Sequence, residues 1–171
     1  MNRFLLPVML AAFFVIESVF VQLLPDGTFT SDRILVPRFL IIAIFFLTVY
    51  GNKQYGIIYG FVFGLLFDVF YTEILGIYLF LFPLMAYVVS KMMKVLQTNI
   101  VIVTIVSIIG VALLELGAYE MNFLIHRTDM DFPQFVSLRL LPTIILNLVF
   151  SIIAAYPLKR QYEKFAEHLT E

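Results

Sequence analysis

The chain is 171 residues long, 62 % hydrophobic and 13 % charged, with a mean hydropathy of +1.00. That is far from the roughly 25 % charged content of soluble domains, so the composition is that of an integral membrane protein and excludes a soluble enzyme or a nucleic-acid binder. There is no cysteine, which removes disulfides, thiol catalysis and thiolate metal sites, and the net charge of -1 matters less than how the charges are distributed.

A spanning helix needs about 20 predominantly apolar residues. Six segments approach that length, at about 4–24, 34–50, 55–70, 74–90, 100–125 and 136–158, leaving 159–171 as a cytoplasmic tail. The expected fold is a compact all-α bundle of six transmembrane helices in a single domain. The first segment follows Met1-Asn2-Arg3 directly and ends at Pro25-Asp26-Gly27 without a small-residue cleavage pattern, so it is expected to be retained. The second and third segments are the weakest, with only 14 uncharged residues each, from Phe39 to Asn52 and from Gln54 to Phe67. A re-entrant hairpin in their place is the other arrangement these lengths allow. Pro83 and Pro142 fall inside spans, where a kink is the ordinary consequence.

With the N-terminus inside, Arg3, Lys53, Lys91, Lys94, Lys159, Arg160 and Lys164 lie on the inner side, and only Arg33 and Arg127 lie in outer loops, beside Asp26, Asp32, Glu73, Asp129 and Asp131. Basic residues concentrate on the cytoplasmic side of membrane proteins, so both termini are expected there. In the tail, Tyr162, Phe165, Ala166 and Leu169 recur at helical spacing opposite the charges, which predicts a short helix lying on the inner leaflet.

Two features within the spans stand out. Gly56, Gly60, Gly64 and Asp68 recur every four residues and share one broad helical face. Glycines so spaced let a second helix approach until backbones nearly touch, either an internal neighbour or a partner's helix. The second feature is a set of intramembrane charges, Glu17, Arg38, Asp68, Glu115, Glu120 and Arg139, all in the outer half. Charges at such depth persist only if they pair, protonate or meet water, so they are expected to form one inward-facing cluster. Glu17 with Arg38 and Glu120 with Arg139 are the expected pairs, and a proton or substrate relay is the functional alternative. HExxH, GxSxG and P-loop signatures are absent, and His126 and His168 lie at opposite ends, so neither an enzyme nor a cofactor is expected.

The segments Arg3-Phe4-Leu5-Leu6-Pro7, Leu35-Val36-Pro37-Arg38-Phe39-Leu40, Ile58 to Tyr78, and Arg139-Leu140-Leu141-Pro142-Thr143-Ile144-Ile145-Leu146-Asn147 stand in an order and spacing that resembles the rod shape-determining protein MreD of Gram-positive rods. The resemblance runs from Arg3 to about Leu158. It implies a non-enzymatic scaffold of the bacterial plasma membrane that binds the bitopic protein MreC. It further implies a link from cytoplasmic MreB filaments to the wall synthases, the glycosyltransferase RodA and a class B penicillin-binding protein. On that reading MreC is the preferred occupant of the Gly56, Gly60, Gly64 face. The alternative is the substrate-binding membrane subunit of a vitamin transporter, also a six-helix bundle, with its pocket in the outer half.

Overall fold

A computed structural model describes residues 5–23, 33–72 and 74–170, the last three by backbone only. Arg3, Asp26, Asp32, Glu73 and the side chain of Leu169 lie outside the described residues. The described residues are helical apart from short connections. The elements are α1 (Leu5–Leu23), α2 (Phe39–Phe46) running into a π-helical turn (Leu47–Gly51), α3 (Lys53–Tyr71), α4 (Ile77–Met92) and α5 (Ile100–Leu124). A short α6 (Phe132–Phe135) then passes through a second π-helical turn (Val136–Leu140) into α7 (Leu141–Thr170).

Four runs are long and apolar enough to cross a membrane: Leu5–Leu23, Lys53–Tyr71, Ile100–Leu124 and the continuous Phe132–Glu167. Phe39–Gly51 and Ile77–Met92 are apolar but shorter. At 1.5 Å of rise per residue they extend only about 20 and 24 Å.

The short Phe39–Gly51 run is the centre of the molecule. Every residue from Phe39 to Thr48 is buried, and α1, α3, α4, α5 and α7 all pack on α2. The surrounding ring is closed by α3 on α4, α4 on α5 and α5 on α7, while α1 fills the remaining gap. There Phe13 meets Phe150 of α7, and Phe14 meets Phe63, Phe70 and Tyr71 of α3. A helix enclosed by protein does not have to match the bilayer thickness, which is why thirteen residues suffice here. The outward faces of α1 and α7 (Val8, Val15, Ile16, Val19; Ile145, Val149, Ile152, Ile153) are exposed and apolar, as a lipid-facing surface requires.

The glycine face of α3 is filled from within the chain. A Cβ at Gly64 would press on the Tyr78 carbonyl, with its carbon 2.9 Å away, and one at Gly60 would lie 3.2 Å from the backbone of Pro83. Gly56 abuts Thr48 of the first π-helical turn. At Gly60 and Gly64 the close backbone approach is thus one of α3 to α4.

The tail differs from the inner-leaflet helix expected of it. Helix α7 continues through Pro157 without ending, and its apolar stripe turns back onto the bundle. Tyr162 is fully buried, and the Phe165 ring packs edge-on against Tyr55 and beside Gly51. The aromatic side chains find protein on that side rather than lipid.

Candidate functional site

The site grows from the start of α2. Helix N-termini leave N–H groups without intrahelical partners, and inside a membrane water does not satisfy them. Arg38, the residue before α2, supplies no side-chain cap. A carboxylate from a neighbouring helix does so instead: Glu17 of α1 accepts from the Leu40 N–H at 3.1 Å. The same device begins the other short helix. Asp68 of α3 accepts from the N–H groups of Gly76 (2.8 Å), Tyr78 (3.0 Å) and Leu79 (2.9 Å), so one buried carboxylate caps α4. Gly76 sits at φ 120, where a side chain would be strained, and this lets the chain turn tightly into that cap. The negative charge also complements the positive end of each helix dipole.

The extended segment before α2 is held by α7. Val36 N–H donates to Thr143 Oγ1 (3.2 Å), Arg38 N–H donates to Asn147 Oδ1 (2.7 Å), and Asn147 Nδ2 donates to the Val36 carbonyl (2.9 Å). Pro142 has no N–H for the Leu138 carbonyl four residues back, and that carbonyl accepts from Ile34 N–H at 2.8 Å. The proline expected to kink its span therefore follows a π-helical turn and frees an acceptor that binds another segment.

From this anchored backbone the Arg38 side chain reaches across the bundle. Its Nε donates to Glu115 Oε1 at 2.6 Å and one terminal nitrogen, Nη2, donates to the Tyr78 hydroxyl at 2.8 Å. The guanidinium also lies over the rings of Tyr78 and Phe67. The second oxygen of Glu115 accepts from Arg139 Nε at 3.0 Å. Arg38 and Glu115 are 1 % and 0 % exposed, Arg139 31 %. Two guanidinium groups thus share one carboxylate, and the triad carries a net positive charge. The other terminal nitrogen of Arg38, Nη1, is buried without a partner among the described residues.

Of the six intramembrane charges, the structure brings together Arg38, Glu115 and Arg139. Glu17 and Asp68 serve as helix caps, and Glu120 is exposed at the end of α5. The expected pairs of Glu17 with Arg38 and Glu120 with Arg139 are replaced by a single acceptor, Glu115, for both arginines. It is reached from both sides because it lies on the inner face of α5. Tyr78, Thr143 and Asn147 were not singled out in the sequence. Thr143 and Asn147 do carry a signal, two amide- or hydroxyl-bearing residues one turn apart in an apolar run.

Beside the triad lies a cavity of about 480 Å³, at the end of the bundle away from the C-terminus, between the α3–α4 turn, the end of α5 and the start of the last helical run. Tyr71, Tyr78, Tyr119, Asn122, Arg127 and Arg139 contribute to its walls. Among the described residues no three His, Asp or Glu side chains gather as metal ligands.

The profile described as rod shape-determining protein MreD matches residues 2–165. The chain belongs to the MreD family. It is 37 % identical over all 171 residues to the rod shape-determining protein MreD of Bacillus subtilis, covering 99 % of that protein. It is 28 % identical over 154 residues, 90 % of this chain and 93 % of the other, to the cell shape-determining protein MreD of Streptococcus pneumoniae. No solved structure matches. The vitamin-transporter alternative finds no support in these matches. Two of the segments that carry the MreD resemblance, Leu35 to Leu40 and Arg139 to Asn147, are the two that interlock through Thr143, Asn147 and Glu115.

Proposed function

We propose that the chain acts as a non-enzymatic scaffold of the cell-elongation complex in the bacterial plasma membrane. In this reading it crosses six times, with both termini cytoplasmic. It binds the single spanning helix of MreC and so helps to link MreB filaments inside to RodA and a class B penicillin-binding protein outside. The observation that carries the reading is how the intramembrane polar groups are used: two cap helices and three tie α2 to α4, α5 and the last helical run. Groups committed to fixing helices favour a rigid docking body over a reaction centre. The Gly56, Gly60 and Gly64 face is covered by α4 and Thr48, so a partner helix would dock on one of the exposed apolar outer faces, those of α1, α3, α5 and α7 among them.

Two measurements test this. Cysteine at position 53 should resist a membrane-impermeant thiol reagent in intact cells, and cysteine at position 129 should react with it; the reverse pattern refutes the topology. Gently solubilised protein should carry MreC into native mass spectrometry. A tightly bound small molecule with no single-pass partner would instead favour a transporter subunit.

A further inference from the structure

We infer that the 480 Å³ cavity is a binding site for an anionic group, a phosphate or a carboxylate, with Arg139 as its principal ligand. The argument starts from charge. Both oxygens of Glu115 are already engaged, one by each arginine, so Arg139, which lines the cavity, shares its carboxylate with a second guanidinium. Among the described residues lining the cavity there is no carboxylate.

Donor geometry points the same way. Arg139 makes its ion pair through Nε, and its hydrogen bonds to described residues use that atom alone. The two terminal nitrogens, the half of the fork suited to a bidentate anion, remain on a side chain that is 31 % exposed. Tyr78 also lines the cavity and accepts from Arg38, which orients its phenol and leaves its own proton to donate. The volume lies within the range of about 300 to 1,000 Å³ that small-molecule sites occupy.

The anion has two possible sources, the head group of an acidic lipid and a free anion in the aqueous phase. Wild-type protein in nanodiscs of neutral lipid is titrated with phosphatidylglycerol, read as retained lipid by native mass spectrometry, and separately with inorganic phosphate, read by calorimetry. Binding of either probe with a dissociation constant of about 1 mM or tighter supports the site, and the probe that binds identifies the source. Binding of neither overturns it.

Two variants locate the anion. Arg139→Gln leaves Glu115 held by Arg38 and is expected to weaken binding about tenfold or more, the scale of hydrogen bonds to a charged group. Asn122→Phe fills the cavity without changing any charge, at the cost of a side-chain bond to the Ala118 carbonyl of its own helix, and is expected to block binding. Undiminished affinity in folded Arg139→Gln refutes the role of Arg139. Undiminished affinity in Asn122→Phe refutes the cavity as the location, and this variant serves alone if Arg139→Gln does not fold.

Discussion

The approach of α3 to α4 can be tested at single-atom resolution, because the glycines differ in what an added methyl would meet. At Gly64 the nearest groups are the Tyr78 carbonyl and the Leu79 Cα, all backbone, with the carbonyl carbon at 2.9 Å. None can rotate away, so Gly64→Ala must push the helices apart, and Asp68 one turn on would have its three bonds to the start of α4 stretched. Overpacking of this kind costs about 1–3 kcal/mol, more than the gain of up to about 1 kcal/mol from replacing a helical glycine by alanine. Gly64→Ala should therefore lose stability by about 1–2 kcal/mol. At Gly60 the contacts are 3.2 Å from Pro83 and 3.3 Å from Phe82, requiring only a few tenths of an ångström of movement. There the two contributions should nearly cancel, and Gly60→Ala should stay within about 1 kcal/mol of wild type. The assay is the fraction of monodisperse protein after graded heating, in matched nanodiscs without partners. Wild-type stability of Gly64→Ala, together with loss of a co-purifying partner, would refute internal packing and return the stripe to a docking role.

Asp68→Ala strands three N–H groups at the start of α4 and is expected to cost about 2–5 kcal/mol, with Asp68→Asn, which keeps an acceptor, in between; equal melting of all three proteins would refute the cap. Arg38→Leu alone should destabilise by about 3–5 kcal/mol, and adding Glu115→Leu should recover part of the loss while Glu17→Gln should not; rescue by Glu17→Gln would assign the arginine to the other acid. The Tyr162 hydroxyl is buried and has no partner among the described residues. Tyr162→Phe should accordingly be neutral or stabilising, whereas Tyr162→Ala should cost about 3–5 kcal/mol; equal stability of the two variants would show that the tail does not dock on the bundle.

Much of the architecture was legible as lengths. The apolar segments 34–50, 55–70, 74–90 and 100–125 correspond to Phe39–Gly51, Lys53–Tyr71, Ile77–Met92 and Ile100–Leu124 within a few residues at most ends. Position around the helix was harder to read. In a soluble protein a helix such as FLIIAIFF, apolar on every side, announces itself as buried, but lipid accepts the same surface, so composition alone does not distinguish the hub from the periphery. The charges illustrate the same gap. Sequence gives the depth of Glu17, Glu115 and Glu120 along their helices but not their azimuth, and azimuth decides that Glu115 faces Arg38 while Glu120 faces outward.

The caps explain why such costly acids occur where they do. A long helix can place its termini in the polar interface, where water satisfies the free N–H groups. Helices α2 and α4 are shorter than the hydrocarbon core and begin among protein side chains, so their first N–H groups need acceptors delivered at that depth. In each case the acceptor is a carboxylate in the second half of the preceding long helix, Glu17 for α2 and Asp68 for α4. Their placement follows from having short helices in the bundle, independently of any proton path. Arg38 completes the arrangement. Its backbone is pinned by Asn147 from the last helix, and its side chain bonds Tyr78 of α4 and Glu115 of α5, so one residue at the head of the hub fixes the positions of three ring helices.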